Sequence, residues 1–201
     1  MKAGRMVFVT GAARSGKSRY AEELVASLGG SSPSSVVYVA TAEALDDEMR
    51  RRVGQHRKRR PPGWTTIEAR RDIADELRRS GFSKGVVLLD CVSLLVSNLL
   101  LDAAEATGEG DPDLERRVWA ETEGELAGLG GLLRETGADC VFVSNEVGWG
   151  VVPPHRLGRV YRDLLGRANQ RVAANSDFAV LLVAGLPVLL KGEPPAPSPH
   201  E

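Results

Sequence analysis

Eight residues near the start of the chain, Gly11-Ala12-Ala13-Arg14-Ser15-Gly16-Lys17-Ser18, carry the pattern G-x-x-x-x-G-K-[ST]. That spacing is the chemistry of phosphate binding, the P-loop. The glycines let the backbone curl until its N–H groups point inward at phosphate oxygens. Lys17 would reach the β- and γ-phosphates of a nucleoside triphosphate, and the Ser18 hydroxyl would ligate Mg²⁺. A further metal acid is expected at the carboxyl end of a neighbouring strand. Asp90 is best placed for it, because it ends the most apolar run, Val86-Val87-Leu88-Leu89.

Such a loop needs a strand before it and a helix after it. Met6–Thr10 is a short apolar run suited to a buried parallel strand. Lys17–Leu28 places Tyr20, Ala21, Leu24, Val25 and Leu28 at helical spacing, and the positive end of that helix dipole faces the loop. Further strands are expected at Val36–Ala40, Trp64–Glu68, Val86–Asp90, Asp139–Ser144, Phe178–Ala184 and Leu186–Leu190. Helices are expected at Glu43–Arg60, Arg70–Arg79, Ser93–Leu101, Pro112–Glu135 and from Pro154 or His155 to about Asn175. Gly124, Gly128, Gly130 and Gly131 weaken the fourth of these, which leaves both a continuous and a broken helix open. Asp102–Asp113 reads as an exposed polar loop.

Strands alternating with helices give an α/β fold, a P-loop NTPase with a mostly parallel sheet of about seven strands and helices on both faces. Ligands then sit at the strands' carboxyl ends. The P-loop, Thr41, Glu68, Asp90 and Asn145 all fall there. Residues 1–190 form a single domain. Residues 191–201 hold four of the 11 prolines and are expected to be a disordered tail.

With 201 residues, 42% hydrophobic and 26% charged, the composition is that of a soluble globular domain. A net charge of -1 argues against a general nucleic-acid or membrane-surface binder. Cys91 and Cys140 cannot form a disulfide framework, and both adjoin apolar runs, so buried reduced thiols in a cytoplasmic protein are expected. The N-terminal apolar run is too short for a signal peptide, and no stretch approaches a membrane span.

Leu45, Met49, Val53 and His56 follow one another at steps of four, four and three, and so share a helix stripe. His56 is either a helix-end histidine near the negative dipole end or a nucleophile or phosphate ligand. The run Arg57-Lys58-Arg59-Arg60 is either a solvated face or a phosphate clamp. Asp46, Asp47 and Glu48 either favour the helix N-terminus or bind Mg²⁺, and the sequence leaves both open.

Several stretches together resemble one family. They are G-A-A-R-S-G-K-S at 11–18, A-T-A-E-A-L-D-D-E-M at 40–49, H-R-K-R-R-P at 56–61, W-T-T-I-E at 64–68 and L-L-D-C at 88–91. S-N-L-L at 97–100, S-N-E-V-G-W-G-V-V-P at 144–153 and G-R-A-N-Q-R at 166–171 complete the set. The chain resembles the bifunctional adenosylcobinamide kinase / adenosylcobinamide-phosphate guanylyltransferases of cobalamin assembly. The P-loop is common to many families, whereas the His56 stretch and S-N-E-V-G-W-G-V-V-P are far more specific.

The resemblance implies two reactions. A nucleoside triphosphate, ATP or GTP, phosphorylates the aminopropanol hydroxyl of adenosylcobinamide. GTP then passes GMP to that phosphate through a GMP-histidine intermediate, and the matching histidine is His56. Lys17 and His56 would be the catalytic residues. Nucleotide contacts carry over to Gly11, Ala12, Ala13, Arg14, Ser15, Gly16, Lys17 and Ser18, to Ala40, Thr41 and Ala42, to Arg57, Lys58, Arg59 and Arg60, and to Glu68 and Asp90. Mg²⁺ would sit at Ser18 and Asp90. The resemblance also implies a homotrimer. Two departures are small: Ala12 stands where Gly is common, and Asp90 stands where some members have Glu. A simple P-loop kinase for another hydroxyl compound needs only the P-loop and Asp90. A non-catalytic nucleotide-binding regulator predicts binding without turnover.

Overall fold

A computed structural model describes residues 4–29, 35–42 and 62–195. Seven strands form one sheet: β1 (Met6–Gly11), β2 (Val36–Ala40), β3 (Thr65–Glu68), β4 (Val86–Asp90), β5 (Asp139–Val143), β6 (Phe178–Val183) and β7 (Leu186–Lys191). Their spatial order is β3-β2-β4-β5-β1-β6-β7. All neighbours are parallel except β6 and β7, which form an antiparallel hairpin. The described helices are α1 (Lys17–Gly29), α2 (Ile73–Arg79), α3 (Val92–Thr107), α4 (Leu114–Thr136) and α5 (Arg156–Asn175). The expected helix at 43–60, with His56 and Arg57–Arg60, lies outside the described residues.

The strand residues divide by parity, as a pleated strand buried on both faces requires. Phe8, Val37, Val39, Val87, Leu89, Cys140 and Phe142 face one core, which α2, α3, α4 and α5 cover. Val7, Val9, Val36, Tyr38, Leu88, Val141 and Val143 face the other, where α1 inserts Ala21, Val25 and Leu28. The α/β P-loop architecture with helices on both faces is therefore as expected. Among the described residues no helix is long and apolar enough to cross a membrane.

Two local expectations are corrected and one open alternative is decided. Helix α3 runs to Thr107, so half of the expected 102–113 loop is helical. Ala104 is buried there, Asp102 pairs with Arg70 at 2.9 Å, and Gly108 at φ 88° ends the helix with its N–H on the Ala104 carbonyl. Helix α4 does not break at its glycines. Each costs about 1 kcal/mol relative to Ala, while burial of each of Leu129, Leu132 and Leu133 contributes about 1.5–3 kcal/mol. Gly128 faces α2, where a Cβ would stand 3.7 Å from Ala74 Cβ, an ordinary van der Waals contact.

The second correction concerns the end of the chain. Strand β7 includes Lys191, one residue past the expected domain boundary. The Lys191 ammonium donates to the Ala173 and Ala174 carbonyls at 3.1 and 2.9 Å, at the negative end of the α5 dipole. Truncation after Gly192 should therefore leave the thermal unfolding midpoint unchanged. Truncation after Leu190 should lower it, because a cation at a helix end is worth roughly 0.3–1 kcal/mol. Equal midpoints for the two truncated chains would show that Lys191 contributes nothing.

Candidate active site

β1 ends at Gly11 and α1 begins at Lys17, so the intervening loop lies at the carboxyl edge of the sheet. A Cβ on Gly11 would stand 2.5 Å from Ser15 Oγ and 2.7 Å from the Leu182 carbonyl oxygen, leaving no room for a side chain. Gly16 takes φ 93°, a conformation that side chains resist. Ser15 is 6% exposed, and its Oγ has no hydrogen-bond partner among the described residues. A buried hydroxyl left unpaired is costly unless a ligand completes it. Inside this loop, a phosphate oxygen is the fitting partner. The tight turn between β6 and β7, Ala184-Gly185, supports the loop from outside, with Gly185 N–H donating to the Ser15 carbonyl at 3.0 Å.

Lys17 Nζ donates to the Ala12 carbonyl at 3.2 Å. Burial pushes its pKa below the ordinary lysine value, and the nearby Cys91 and Asp90 oppose that shift. Asp90 is half-buried, and its Oδ2 accepts a 2.7 Å bond from the Tyr38 hydroxyl. Ser18 and Asp90 together offer a hydroxyl and a carboxylate, a hard-oxygen donor set that suits Mg²⁺. Burial also pushes the Cys91 thiol up to about 11, so it stays protonated and is no nucleophile at neutral pH.

Register places the strand-end residues in one row. Ala40 is opposite Glu68 on one side and Asp90 on the other, and Asp90 is opposite Val143. Thr41 locks this row: its Oγ1 donates to the Cys91 carbonyl at 2.8 Å and accepts from Cys91 N–H at 2.7 Å. Its hydroxyl is thus committed to the backbone beside Asp90. Asn98 Nδ2 bridges the Thr41 and Arg70 carbonyls, fixing the loops after β2 and β3. The fold brings Gly11–Ser18 and Asp90 together. It holds Glu68 apart, four strands from β1, which at the usual strand spacing is roughly 19 Å.

A polar network on the β5 side joins Asn145 to Ser144, Glu146 and Asn169, which sequence reasoning did not single out. Glu146 N–H donates to the Gly11 carbonyl at 3.1 Å, which ties the loop after β5 to the P-loop. Glu146 Oε1 accepts from Thr10 Oγ1 at 3.0 Å and from Asn169 Nδ2 at 3.2 Å. Ser144 Oγ bonds Asn169 Oδ1 at 2.6 Å, and Asn145 Nδ2 donates to Ser93 Oγ at 2.8 Å. The only prior sign of this network was the presence of S-N-E and G-R-A-N-Q-R among the quoted stretches. Their contact spans 23 residues or more and has no local signature.

Residues 7–190 match the family described as cobinamide kinase / cobinamide phosphate guanyltransferase. The chain belongs to that family. It is 42% identical over 193 residues to the bifunctional adenosylcobalamin biosynthesis protein CobU of Escherichia coli, covering 92% of this chain and 99% of the relative. The CobU of Salmonella typhimurium is 40% identical over 192 residues with the same coverage. The CobP of Pseudomonas aeruginosa is 41% identical over 186 residues, covering 92% of this chain and 97% of the relative. Among solved structures, a prototypical ATPase from the type III secretion system of pathogenic bacteria superposes with a TM-score of 0.51 at 14% identity. That superposition covers 89% of this chain and 52% of the ATPase, and it speaks to the fold alone. The cobinamide kinase family is thus built here on an ATPase-like α/β sheet, with the P-loop at its carboxyl edge.

Proposed function

We propose that this chain phosphorylates adenosylcobinamide from a nucleoside triphosphate and then transfers GMP from GTP to the new phosphate, giving adenosylcobinamide-GDP and pyrophosphate. The observation that carries the reading is the match of residues 7–190 to a family named for both activities. In the kinase step the aminopropanol oxygen attacks the γ-phosphorus, and the nucleoside diphosphate leaves as the hydroxyl proton is released. Lys17 and the P-loop amides hold the transferring charge. In the second step a neutral His56 nitrogen attacks the α-phosphorus of GTP and pyrophosphate leaves. The substrate phosphate then displaces the histidine. The run Arg57–Arg60 stabilises the phosphate charge and favours neutral imidazole. Ser18 and Asp90 would hold Mg²⁺, which would supply charge neutralisation for the departing diphosphate or pyrophosphate.

The strand order sets Glu68 four strands from the P-loop strand, so the nucleotide or the segment bearing His56 shifts between the two steps. The same family reading makes the assembly a cytoplasmic homotrimer. The β7 edge supports an assembly: its six residues are exposed, with Leu186 at 69%, and an apolar edge of this kind is usually covered.

The deciding experiment incubates the protein with α-labelled GTP, and separately with ATP and adenosylcobinamide. An acid-labile protein-bound GMP and a phosphorylated corrinoid are expected. Phosphorylation without the adduct would favour the simple kinase, and neither product would favour the regulator. Asp90→Asn should weaken the Mg²⁺ dependence and lower both activities, since the amide keeps the shape but removes the charge that holds the ion. A metal titration matching the parent's would remove Asp90 from the metal site.

A further inference from the structure

The stretch Val147-Gly148-Trp149-Gly150-Val151-Val152 lies outside the residues proposed for the nucleotide chemistry. Its two flanks are fixed. On one side Glu146 N–H holds the Gly11 carbonyl and Asn169 Nδ2 donates to the Asn145 carbonyl at 3.0 Å. On the other, Arg159 donates to the Pro153 and Pro154 carbonyls at 3.1 and 2.7 Å. Between these anchors Trp149 is 77% exposed, Val151 94% and Val152 57%. Gly148 and Gly150 show no positive φ, and a Cβ on either would meet nothing within 4 Å. Neither backbone conformation nor packing within the described chain therefore requires glycine at these positions. Bare backbone beside exposed apolar side chains is the surface that a broad, flat molecule can approach closely.

We propose that residues 147–152 form the docking face for the corrinoid ring, a reading that rests on the proposed function. The macrocycle lies against Trp149, Val151, Val152 and the two glycines, with its hydroxyl-bearing arm directed toward the P-loop. Position favours this occupant. The loop follows β5, the strand paired with β1, and Glu146 just before it is bonded to Gly11, so the loop starts beside the P-loop. A second copy of the chain has a separate apolar edge available at β7.

The test compares Trp149→Ser and Gly148→Val with the parent enzyme. Gly148→Val adds a side chain into open space and so keeps the fold. Both variants should raise the KM for adenosylcobinamide about tenfold or more, the usual loss for a central aromatic contact. KM for the nucleotide and labelling by α-labelled GTP, which needs no corrinoid, should stay within twofold of the parent. If the parent turns over adenosylcobinamide and both variants keep its KM, the docking face is elsewhere. If the variants lose mass by light scattering in step with activity, a second copy covers the loop and the proposal is wrong. A parent that labels with GTP but does not use adenosylcobinamide would instead overturn the proposed function.

Discussion

His56→Ala abolishes covalent labelling by α-labelled GTP and the formation of adenosylcobinamide-GDP, while phosphorylation of adenosylcobinamide survives. This is the expected result if, as proposed, the imidazole is the nucleophile of the second reaction only. Its removal leaves Ser15, Lys17 and Asp90, the residues proposed to hold the triphosphate and its metal ion for the first. The expectation rests on the family match, on the sequence spacing of His56 from Leu45, Met49 and Val53 and on the adjacent Arg57–Arg60. A missing covalent nucleophile has no partial substitute, so the guanylyl activity should fall by at least about a thousandfold. His155→Ala and His200→Ala are the controls, since these are the other two histidines of the chain. An acid-labile adduct on the His56 variant would place the nucleophile elsewhere. Loss of both activities in a folded variant would show that His56 also shapes the kinase site.

Lys17→Ala should lower the kinase rate by about a hundredfold to a thousandfold, the usual cost of removing one charge-stabilising donor from a preorganised site. The lysine is partly desolvated and lies close enough to Asp90 for the carboxylate to influence its pKa. Its charge therefore acts in a medium where it counts for more than in water. The loss should appear in kcat more than in KM for adenosylcobinamide if, as proposed, the ammonium follows charge into the transition state. Lys17→Arg should not restore the rate, since the planar guanidinium cannot replace a compact ammonium inside the curled loop. A kinase rate within threefold of the parent for Lys17→Ala would remove the P-loop from the reaction.

The P-loop was legible from eight consecutive residues because its requirements are local: glycines where the backbone must curl, a lysine and a hydroxyl at fixed offsets, a strand before and a helix after. The strands Val36–Ala40 and Val86–Asp90 were legible for the same reason, as short apolar runs ended by punctuation. Helix ends were less legible. Asp102–Thr107 reads as a polar loop until Arg70 and the core claim one face of it, and the glycines of α4 suggest a break until three buried leucines outweigh them. The sequence by itself therefore determined the chemistry of phosphate binding, the α/β class and the resemblance to one family. Only the tertiary structure decided the strand order that separates Glu68 from the P-loop, the Tyr38 bond to Asp90 across 52 residues and the Glu146–Gly11 tie across 135. Those facts depend on which distant strands pair. Pairing is fixed by burying both faces of the whole sheet at once, and no local run of residues encodes it.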